Sequence, residues 1–586
     1  MRKKWGNRIG AIVLACALTM NGLPVQSISA STQKAYAAAK SETGKQDVSQ
    51  PETKMGNVVL DGNDIAVNNV NGLTYKGFGM LSGNSTSDLL MDYKAEQPKA
   101  YAELMQYLFG GNYPIMNHVK LEMGNDRNTS TGPESCTKRT EKEKANVLRN
   151  PGWQLAADAR KINPKIKVSI LRWEAPVWAG TDEKIYQWYK ETILDAYEKY
   201  GYMVDYINPN INEKWDVDSD VAFTKKFAKW IAAETKETIP DEKALALYHK
   251  IKLVVSDESG TASDSVVESM KSDSDFYNSV DVVGYHYSPW DDSNGGMKWL
   301  AQTKDKEVWN SEAQATFSNS AFRPANNVKD PTTEGTGLGG TGSALEMANT
   351  FIKGFVQSRR SHVIYQPAIG SFYEGAQFSF KELVSARDPW SGWIHYDAGL
   401  LMLAHISKFA VTGWENEDNT AGIWRAVPQA SKCTADGTNP VNGRNGGENY
   451  MTLASPAKDN FSTMIVNDSE YPMEYKIQTK DMKLAGDQNL EIWETRAADD
   501  GAFNENYMKC IGTTKADDNG VYTVKVNPYS AVTVTTLQVA GDEEHTKALP
   551  VEGERTVLDT DRTGSKQDVD SDYLYADDFE YAGKTV

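Results

Sequence analysis

Two glutamates stand where this chain is best placed to do chemistry, each at the end of a short β-like run. Glu213 closes the segment YINPNINE (206–213) and directly follows the amide of Asn212. Glu312 closes the segment VWNSE (308–312). Parallel barrels carry their reactive groups at the C-terminal ends of strands, and two carboxylates facing each other there can cleave a glycosidic bond. The pair therefore predicts acid, base and nucleophilic chemistry on a sugar.

The strands assigned to the two glutamates decide which mechanism is expected. Glu213 ends the fourth predicted barrel strand and Glu312 the seventh, so their side chains would meet across one narrow mouth. A separation near about 5–5.5 Å would give the retaining geometry. Asn212 suits a hydrogen bond to the sugar 2-hydroxyl, which makes Glu213 the acid/base and Glu312 the nucleophile. Tyr285, His286 or Tyr287, at the end of the sixth run, could hydrogen-bond the nucleophile.

The elements that must position these residues alternate between β-like and helical patterns. The β-like runs are 75–81, 118–123, 167–173, 206–212, 252–256, 280–287, 307–311 and 362–369. Such alternation predicts parallel strands, and eight repeats predict a closed (β/α)8 TIM barrel over residues 75–410. An open doubly wound sheet is the alternative, and the lack of a G-x-G-x-x-G turn after the first run disfavours it.

Other acidic residues also follow β-like runs and are rival candidates. They are Glu122, Glu174, Asp257 and Glu258. Strand position alone does not separate them from the chosen pair. The Asn-Glu sequence on the fourth strand, together with a lone Glu at the end of the seventh, favours Glu213 and Glu312.

The pattern changes after residue 410, where β-like runs follow one another without helices. These runs are 451–454, 462–466, 475–479, 490–494, 520–526 and 531–538. They predict an all-β sandwich over 411–540, to which segment 57–74 is expected to add a strand. The charged residues 541–572 predict a linker. Residues 573–586 resemble the start of a further module that is too short to fold alone, so the chain is interpreted as truncated.

The N-terminus has the pattern of an export signal. Lys and Arg residues precede the apolar segment 9–18, and a small-x-small site follows at 35–37. Residues 1–37 are therefore predicted to be a signal peptide, residues 38–56 a disordered linker, and the protein to be secreted or held at the cell surface. Lipoprotein processing at Cys16 is the alternative. No later run is long and apolar enough to predict a transmembrane segment.

Composition excludes several classes of partner. The net charge is −18 and no basic stripe occurs, which argues against nucleic acid. C-x-x-C and H-E-x-x-H patterns are absent from the sequence and its seven histidines are scattered, so neither a metal nor an organic cofactor is predicted. The oligomeric state and any disulfide cannot be predicted from these residues.

Several segments, in order and spacing, resemble those of glycoside hydrolase family 59, the galactocerebrosidase family. They are GFGMLSG (77–83), SDLLMDY (87–93), KLEMGNDRNTS (120–130), LRWEAPVWAG (171–180), VDVVGYHY (280–287) and DPWSG (388–392). The resemblance implies a retaining (β/α)8 glycosidase. It also implies that residues 577–580 begin a lectin-like domain.

The resemblance carries roles over to individual residues. It implies Glu213 as acid/base and Glu312 as nucleophile, and Tyr365 stands where the family has a Trp on strand eight. Ile211 replaces a family aromatic and Ala315 a family Ser; both departures concern substrate contacts rather than the carboxylates. The expected substrate contacts are Asn212, Trp173, Thr129, Ser130, His286, Tyr287 and Tyr365.

The sequence thus predicts a secreted retaining hydrolase that removes terminal β-D-galactosyl residues from a glycolipid or glycan, in the manner of a galactosylceramidase. One alternative keeps the chemistry but changes the substrate to β-glucosides or β-galactan. The other is a carbohydrate-binding protein without activity, which the presence of both glutamates disfavours.

Overall fold

The computed structural model describes residues 51–83, 86–127, 133–258, 261–287, 295–315, 344–370, 382–434, 446–496 and 506–556. The first group of strands is β1 Lys54–Asp61, β2 Gly77–Ser82, β3 Met116–Glu122, β4 Lys167–Arg172, β5 Tyr206–Ile211, β6 Lys252–Glu258, β7 Val282–Tyr285, β8 Glu307–Ala313 and β9 His362–Tyr365. The second group is β10 Ile369–Gly370, β11 Val384–Asp388, β12 Trp393–Tyr396, β13 Arg425–Ala426, β14 Lys432–Cys433, β15 Asn449–Ala454, β16 Phe461–Asn467, β17 Met473–Lys480, β18 Asn489–Arg496, β19 Lys509–Lys515, β20 Val521–Val526 and β21 Ser530–Thr535.

The α-helices lie mainly between the strands of the first group. They are α1 Thr86–Glu96, α2 Pro98–Phe109, α3 Pro151–Ile162, α4 Asp182–Tyr200, α5 Val217–Ala233, α6 Glu242–Tyr248, α7 Thr261–Ser272, α8 Ser274–Ser279, α9 Gly296–Thr303, α10 Ala344–Ser358, α11 Gly399–Ser407 and α12 Glu543–Thr546. Local sequence sets several ends: Thr181 caps α4 by accepting from the Lys184 amide, and Gly201 ends it in the left-handed conformation.

Strands β2 to β9 form a closed parallel barrel in chain order, with β2 pairing β9 to complete the ring. The predicted (β/α)8 barrel is therefore confirmed. Alternate strand residues face the interior, where Leu81, Leu171, Val254, Trp309 and Ile364 belong to one buried cluster. This apolar filling makes the barrel a packed core and leaves its C-terminal mouth for chemistry.

Below the mouth, the barrel interior contains a chain of hydrogen bonds between uncharged groups. His362 Nδ1 donates to the Gly77 carbonyl at 2.9 Å, and His362 Nε2 lies 2.8 Å from His118 Nδ1. His118 Nε2 lies 2.7 Å from Ser169 Oγ. Burial lowers the pKa of His362 to about 3, so the ring stays neutral. These histidines are packing groups and not part of the mouth.

The sandwich is confirmed as a second body of antiparallel sheets packed beside the barrel. One sheet has the order β13-β15-β16-β21-β18-β19, with β14 on β15, and the other has the order β1-β17-β20. Strand β1 pairs in parallel with β17, from Lys54 opposite Met473 to Asp61 opposite Lys480. The prediction of a disordered linker over 38–56 is therefore wrong at residues 54–56, because backbone pairing orders them.

The prediction of a linker over 541–572 is also wrong for its first part. Residues 541–556 include α12 and run back along the barrel, where Tyr107 Oη donates to the Ala548 carbonyl at 2.7 Å. Arg555 Nε lies 2.5 Å from Asp388 Oδ2 and its guanidinium covers the Trp393 ring at 4.6 Å. Charged residues that find such partners hold a segment in place, which composition alone cannot show.

The predicted signal peptide, most of the linker after it and the start of the lectin-like module lie outside the described residues. Among the helices that are described, none combines the length and the apolar character that crossing a bilayer requires.

Candidate active site

Glu213 and Glu312 lie at the C-terminal mouth of the barrel. Glu213 follows β5, the fourth barrel strand, and Glu312 lies near the end of β8, the seventh. Glu213 has a positive φ of 55° and its amide donates to the Asp257 carbonyl at 3.0 Å, which ties the strained turn to β6. The Glu213 side chain is 30% exposed and that of Glu312 is 4% exposed. One carboxyl group thus faces the solvent and the other lies beneath it.

A single hydroxyl joins the two carboxyl groups. Tyr287 Oη lies 2.6 Å from Glu213 Oε1 and 2.6 Å from Glu312 Oε1. Burial and the two carboxylates raise the pKa of the Tyr287 hydroxyl well above its usual value, so it keeps its proton. One hydroxyl has one proton, so it can donate to one carboxylate and accept from the other only if that carboxyl is protonated. The geometry therefore fits one ionised and one protonated carboxyl group.

His286 is a third group in contact with this pair. Its buried ring places Nδ1 3.2 Å from Glu213 Oε1 and 3.9 Å from Glu312 Oε2. Burial alone would lower the pKa of His286, but the surrounding carboxylates raise it to about 9. The ring is therefore an imidazolium that places positive charge between the two glutamates.

The same contacts set the proton affinity of Glu213. Burial opposes its ionisation, but hydrogen bonds from His286 and Tyr287 outweigh that effect and lower the pKa of Glu213 below its usual value. The carboxyl that faces solvent therefore gives up its proton readily while His286 is charged.

A buried ion pair lies next to His286. Lys120 Nζ is 3.0 Å from both oxygens of Asp257, and His286 Nε2 is 3.2 Å from Asp257 Oδ1. Asn208 Nδ2 donates to Asp257 Oδ2 at 2.9 Å. Burial would raise the pKa of Asp257, but Lys120 and His286 hold it well below its usual value. Asp257 is therefore a permanent anion at the base of the site.

Asn212 and Trp173 lie at the same mouth. The Asn212 amide group is buried, and neither its oxygen nor its nitrogen has a hydrogen-bond partner among the described residues. A buried amide without partners is costly, so its position next to Glu213 suits a polar ligand. Trp173 follows β4 and is half-buried against the interior cluster of the barrel. The predicted contacts Thr129 and Ser130 lie outside the described residues.

Tyr365 does not fit its predicted role as a substrate contact. Strand alternation turns its neighbour Ile364 into the barrel interior. The Tyr365 ring is buried in the layer between strands and helices, with its centroid 6.3 Å from that of Phe78. The resemblance to the family therefore gives the position of this residue on strand eight but not the direction of its side chain.

The other candidate carboxylates differ in their burial and in their hydrogen-bond partners. Glu174 pairs at 2.9 Å with Arg127 on the partly exposed rim. Asp257 belongs to the site, but its bonds to Lys120 and His286 occupy both of its oxygens. A carboxylate so engaged supports other groups rather than attacking a substrate. Glu122, at the end of β3, is buried.

Sequence reasoning missed Lys120 as a member of the site. The sequence did hold a signal, because β3 is buried along its whole length and a lysine in such a strand needs a counterion. The sequence offers Asp257 only as an alternative to the two glutamates. The contact between the Lys120 and Asp257 side chains, which meet across the barrel from β3 and β6, could not be read from either segment alone.

Glu213, His286 and Glu312 each offer a ligand atom, and these atoms lie within 4.8 Å of one another. Atoms at this spacing could all bind one cation. A histidine ligand must be neutral, however, whereas Asp257 and the ionised member of the glutamate pair favour the charged form of His286. The chemistry of this cluster therefore favours proton transfer and nucleophilic attack over metal binding.

Comparisons with known proteins identify the family of this chain. Residues 75–408 match the sequence profile of glycosyl hydrolase family 59. The galactocerebrosidase of Homo sapiens is 27% identical over 350 residues, which cover 58% of this chain and 44% of the relative. The galactocerebrosidase of Salmo salar is 22% identical over 485 residues, which cover 80% of this chain and 63% of the relative.

A solved structure shares the fold over both bodies. A conserved exported protein from Bacteroides fragilis superimposes with a TM-score of 0.54 at 13% identity, covering 81% of this chain and 99% of the other. The chain spans about half the length of the curated relatives it matches. The family profile covers more than half of this chain, including both glutamates and the whole barrel. The chain therefore belongs to glycosyl hydrolase family 59.

Proposed function

We propose that this protein hydrolyses terminal β-D-galactosyl residues by double displacement. Glu312 attacks the anomeric carbon while Glu213 protonates the leaving oxygen. Glu213 then removes a proton from water, which attacks the galactosyl–enzyme ester and releases galactose with its configuration retained. Glu213 carries both proton transfers of this scheme, and Glu312 forms and then releases the covalent bond to the sugar.

The separation of the two carboxyl groups carries the proposal. An oxygen of Glu213 and an oxygen of Glu312 lie within 4.8 Å of each other, and the Tyr287 hydroxyl bridges the pair. Retaining glycosidases hold their carboxyl groups about 5–5.5 Å apart, whereas inverting enzymes leave about 6.5–9.5 Å for a water molecule. The observed spacing supports direct attack by a carboxylate.

Exposure and neighbours support the assignment of roles. Glu213 is the more exposed of the two and can reach both a leaving group and incoming water. Glu312 Oε2 is buried and accepts no hydrogen bond from the described residues, which leaves a lone pair for attack. Asn212 adjoins Glu213 with its amide unsatisfied and suits the 2-hydroxyl, a contact that strengthens in the transition state.

The sugar is proposed from the relatives. Those reported above are named galactocerebrosidases, and the part that this chain shares with them contains the barrel and both glutamates. A galactosyl group linked to ceramide or to another alcohol is therefore the proposed substrate class. Trp173 offers an apolar ring for the sugar face at the mouth.

The test is hydrolysis of aryl β-galactosides, β-glucosides and β-xylosides, with the first product followed by proton NMR. The proposal predicts turnover of the galactoside and β-galactose as the first anomer. Release of α-galactose would contradict double displacement. Turnover of glucosides or xylosides in place of galactosides would overturn the sugar assignment and retain the mechanism.

Activity is expected to rise as the pH falls below neutrality. Glu213 must be protonated to act as an acid, and its lowered pKa leaves few molecules protonated at neutral pH. On this alkaline limb kcat/KM should gain about tenfold per pH unit of acidification until most molecules carry the Glu213 proton. The substitution His286→Gln removes a group that lowers the pKa of Glu213, so the limb should move to higher pH. Profiles of kcat/KM for both proteins test this, and a limb that stays in place contradicts it.

Export is proposed as well, from the charged, apolar and small-x-small order of residues 1–37. Expression of the full chain in a secreting bacterium, followed by N-terminal sequencing, tests this. Medium containing protein that begins after Ala37 would support cleavage there. Protein retained in the cytoplasm with its N-terminus intact would contradict it.

A further inference from the structure

The ion pair between Lys120 and Asp257 is almost completely buried. The two side chains are 4% and 1% exposed and join the second barrel strand to the end of the fifth. Lys120 also donates to the Ser311 carbonyl at 3.2 Å, one residue before Glu312. Isolated charges of this kind are costly to bury, so the pair needs a reason beyond packing.

Asp257 determines which nitrogen of His286 faces the glutamates. An ionised carboxylate only accepts hydrogen bonds, so His286 Nε2, 3.2 Å from Asp257 Oδ1, must carry a hydrogen. The ring then has one orientation in which Nδ1 points at Glu213, 3.2 Å away. Lys120 and Asn208 also donate to Asp257, so each acceptor site that His286 leaves is filled.

We propose that Lys120 and Asp257 are positioning residues, which hold His286 as an Nε2–H donor so that its Nδ1–H addresses the two glutamates. This inference rests on the proposed function and deepens it, since it assigns the support of the proposed acid/base. Lys120 keeps Asp257 anionic, Asp257 orients and charges His286, and His286 then stabilises ionised Glu213. The Lys120 bond to the Ser311 carbonyl fixes the strand that presents Glu312 in the same network.

Charged groups face His286 from several elements. Asp257 lies on β6, while Glu213 and Glu312 approach Nδ1 from the ends of β5 and β8. Tyr287 is its chain neighbour and bridges both glutamates. Lys120 acts through Asp257. The imidazolium is thus balanced by carboxylates on both of its nitrogens, and loss of the Asp257 charge removes one side of that balance.

The decisive change is Asp257→Asn, which keeps the shape but replaces one acceptor with a donor. Lys120, Asn208 and His286 all donate to this carboxylate, so an amide leaves one of them facing an N–H group. His286 can relieve this by losing its Nε2 proton and becoming neutral. We expect kcat at its pH optimum to fall about tenfold or more with KM within about threefold, because the carboxylate that Glu213 becomes after it gives up its proton loses the cation that stabilises it. The alkaline limb of kcat/KM should move to higher pH, because the charge that lowers the pKa of Glu213 is lost.

Side-chain nitrogen NMR of histidine-labelled protein gives a readout that turnover does not affect. In the wild type we expect His286 to carry hydrogens on both nitrogens, with its signals assigned by their loss in His286→Gln. In Asp257→Asn we expect a neutral ring without the Nε2 hydrogen. A wild-type ring lacking the Nε2 hydrogen would overturn the proposal without any variant at this position, as would an Asp257→Asn protein that keeps both hydrogens and an unchanged pH limb.

A matched control separates positioning from general damage. Glu415 is a fully buried carboxylate that pairs with Arg425 at 3.2 Å near the other end of the barrel. Glu415→Gln removes a buried charge in the same way, and it should lower thermal stability while leaving the His286 signals and the pH limb in place. The NMR spectra need no substrate, so failure of every galactoside to react would count against the proposed function and not against the orientation of His286.

Discussion

Replacement of Glu312 by glutamine is expected to lower kcat for aryl β-galactosides by about 10⁵-fold or more, the scale seen when a nucleophile is removed. The amide cannot form the galactosyl ester, although it fills the same space beside the Tyr287 hydroxyl. Binding of the sugar should survive, because the half-buried Trp173 ring and the unsatisfied Asn212 amide are untouched. Steady-state kinetics and calorimetric titration with galactose-like inhibitors would measure the two effects separately.

Glu307 provides the matched control for this substitution. It lies at the start of the same strand, is equally buried, and accepts a hydrogen bond from Trp309 Nε1 at 3.0 Å at the opposite end of the barrel. Glu307→Gln should reduce stability but keep kcat. A 2-deoxy-2-fluorogalactoside should label Glu312 in the wild type, and mass spectrometry would locate the adduct. Label on another carboxylate, or full turnover by Glu312→Gln, would contradict the assignment.

The barrel was predictable because its signal is periodic and local. Each of the eight buried strands coincides with one of the short β-like runs of the sequence, and the predicted and observed boundaries agree at residue 167 and at residue 206, where two of them begin. Strand β19 shows the opposite case. Its residues Lys509–Lys515 lie at the edge of a sheet and are mostly exposed, so no apolar alternation marks them. Pairing with β18 forms that strand, and pairing is a property of the fold.

The position of the two glutamates at the barrel mouth could be predicted from the sequence, because strand ends converge there whatever the other residues are. The groups that tune them could not. The contact of Lys120 with Asp257 joins residues 137 positions apart, and the Tyr287 bridge depends on a backbone with a φ of 59° at that residue. Such contacts depend on strand register and on turn conformation, which short motifs do not encode.

Replacement of Glu213 by alanine should produce an effect that depends on the leaving group. An alkyl or ceramide-like leaving group needs a proton, so kcat/KM for such galactosides should fall by about 10²- to 10⁴-fold, the usual contribution of a general acid. A dinitrophenyl leaving group departs without help, so its first step should keep most of its rate. Water then lacks a base, and the galactosyl ester of Glu312 should accumulate. Burst kinetics with substrates of graded leaving-group pKa would measure this.

Azide provides the strongest check on the same variant, because it is a nucleophile that needs no base. Removal of the Glu213 side chain opens the 30% exposed position from which water would approach, and a small anion can enter there. Azide should therefore restore turnover of the dinitrophenyl galactoside and yield β-galactosyl azide, since it attacks the face that the leaving group vacated. The α-azide would mean that no galactosyl ester forms. If Glu213→Ala lowers kcat/KM by the same factor for every leaving group, Glu213 is not the general acid. The spacing of the two carboxyl groups would still need another explanation.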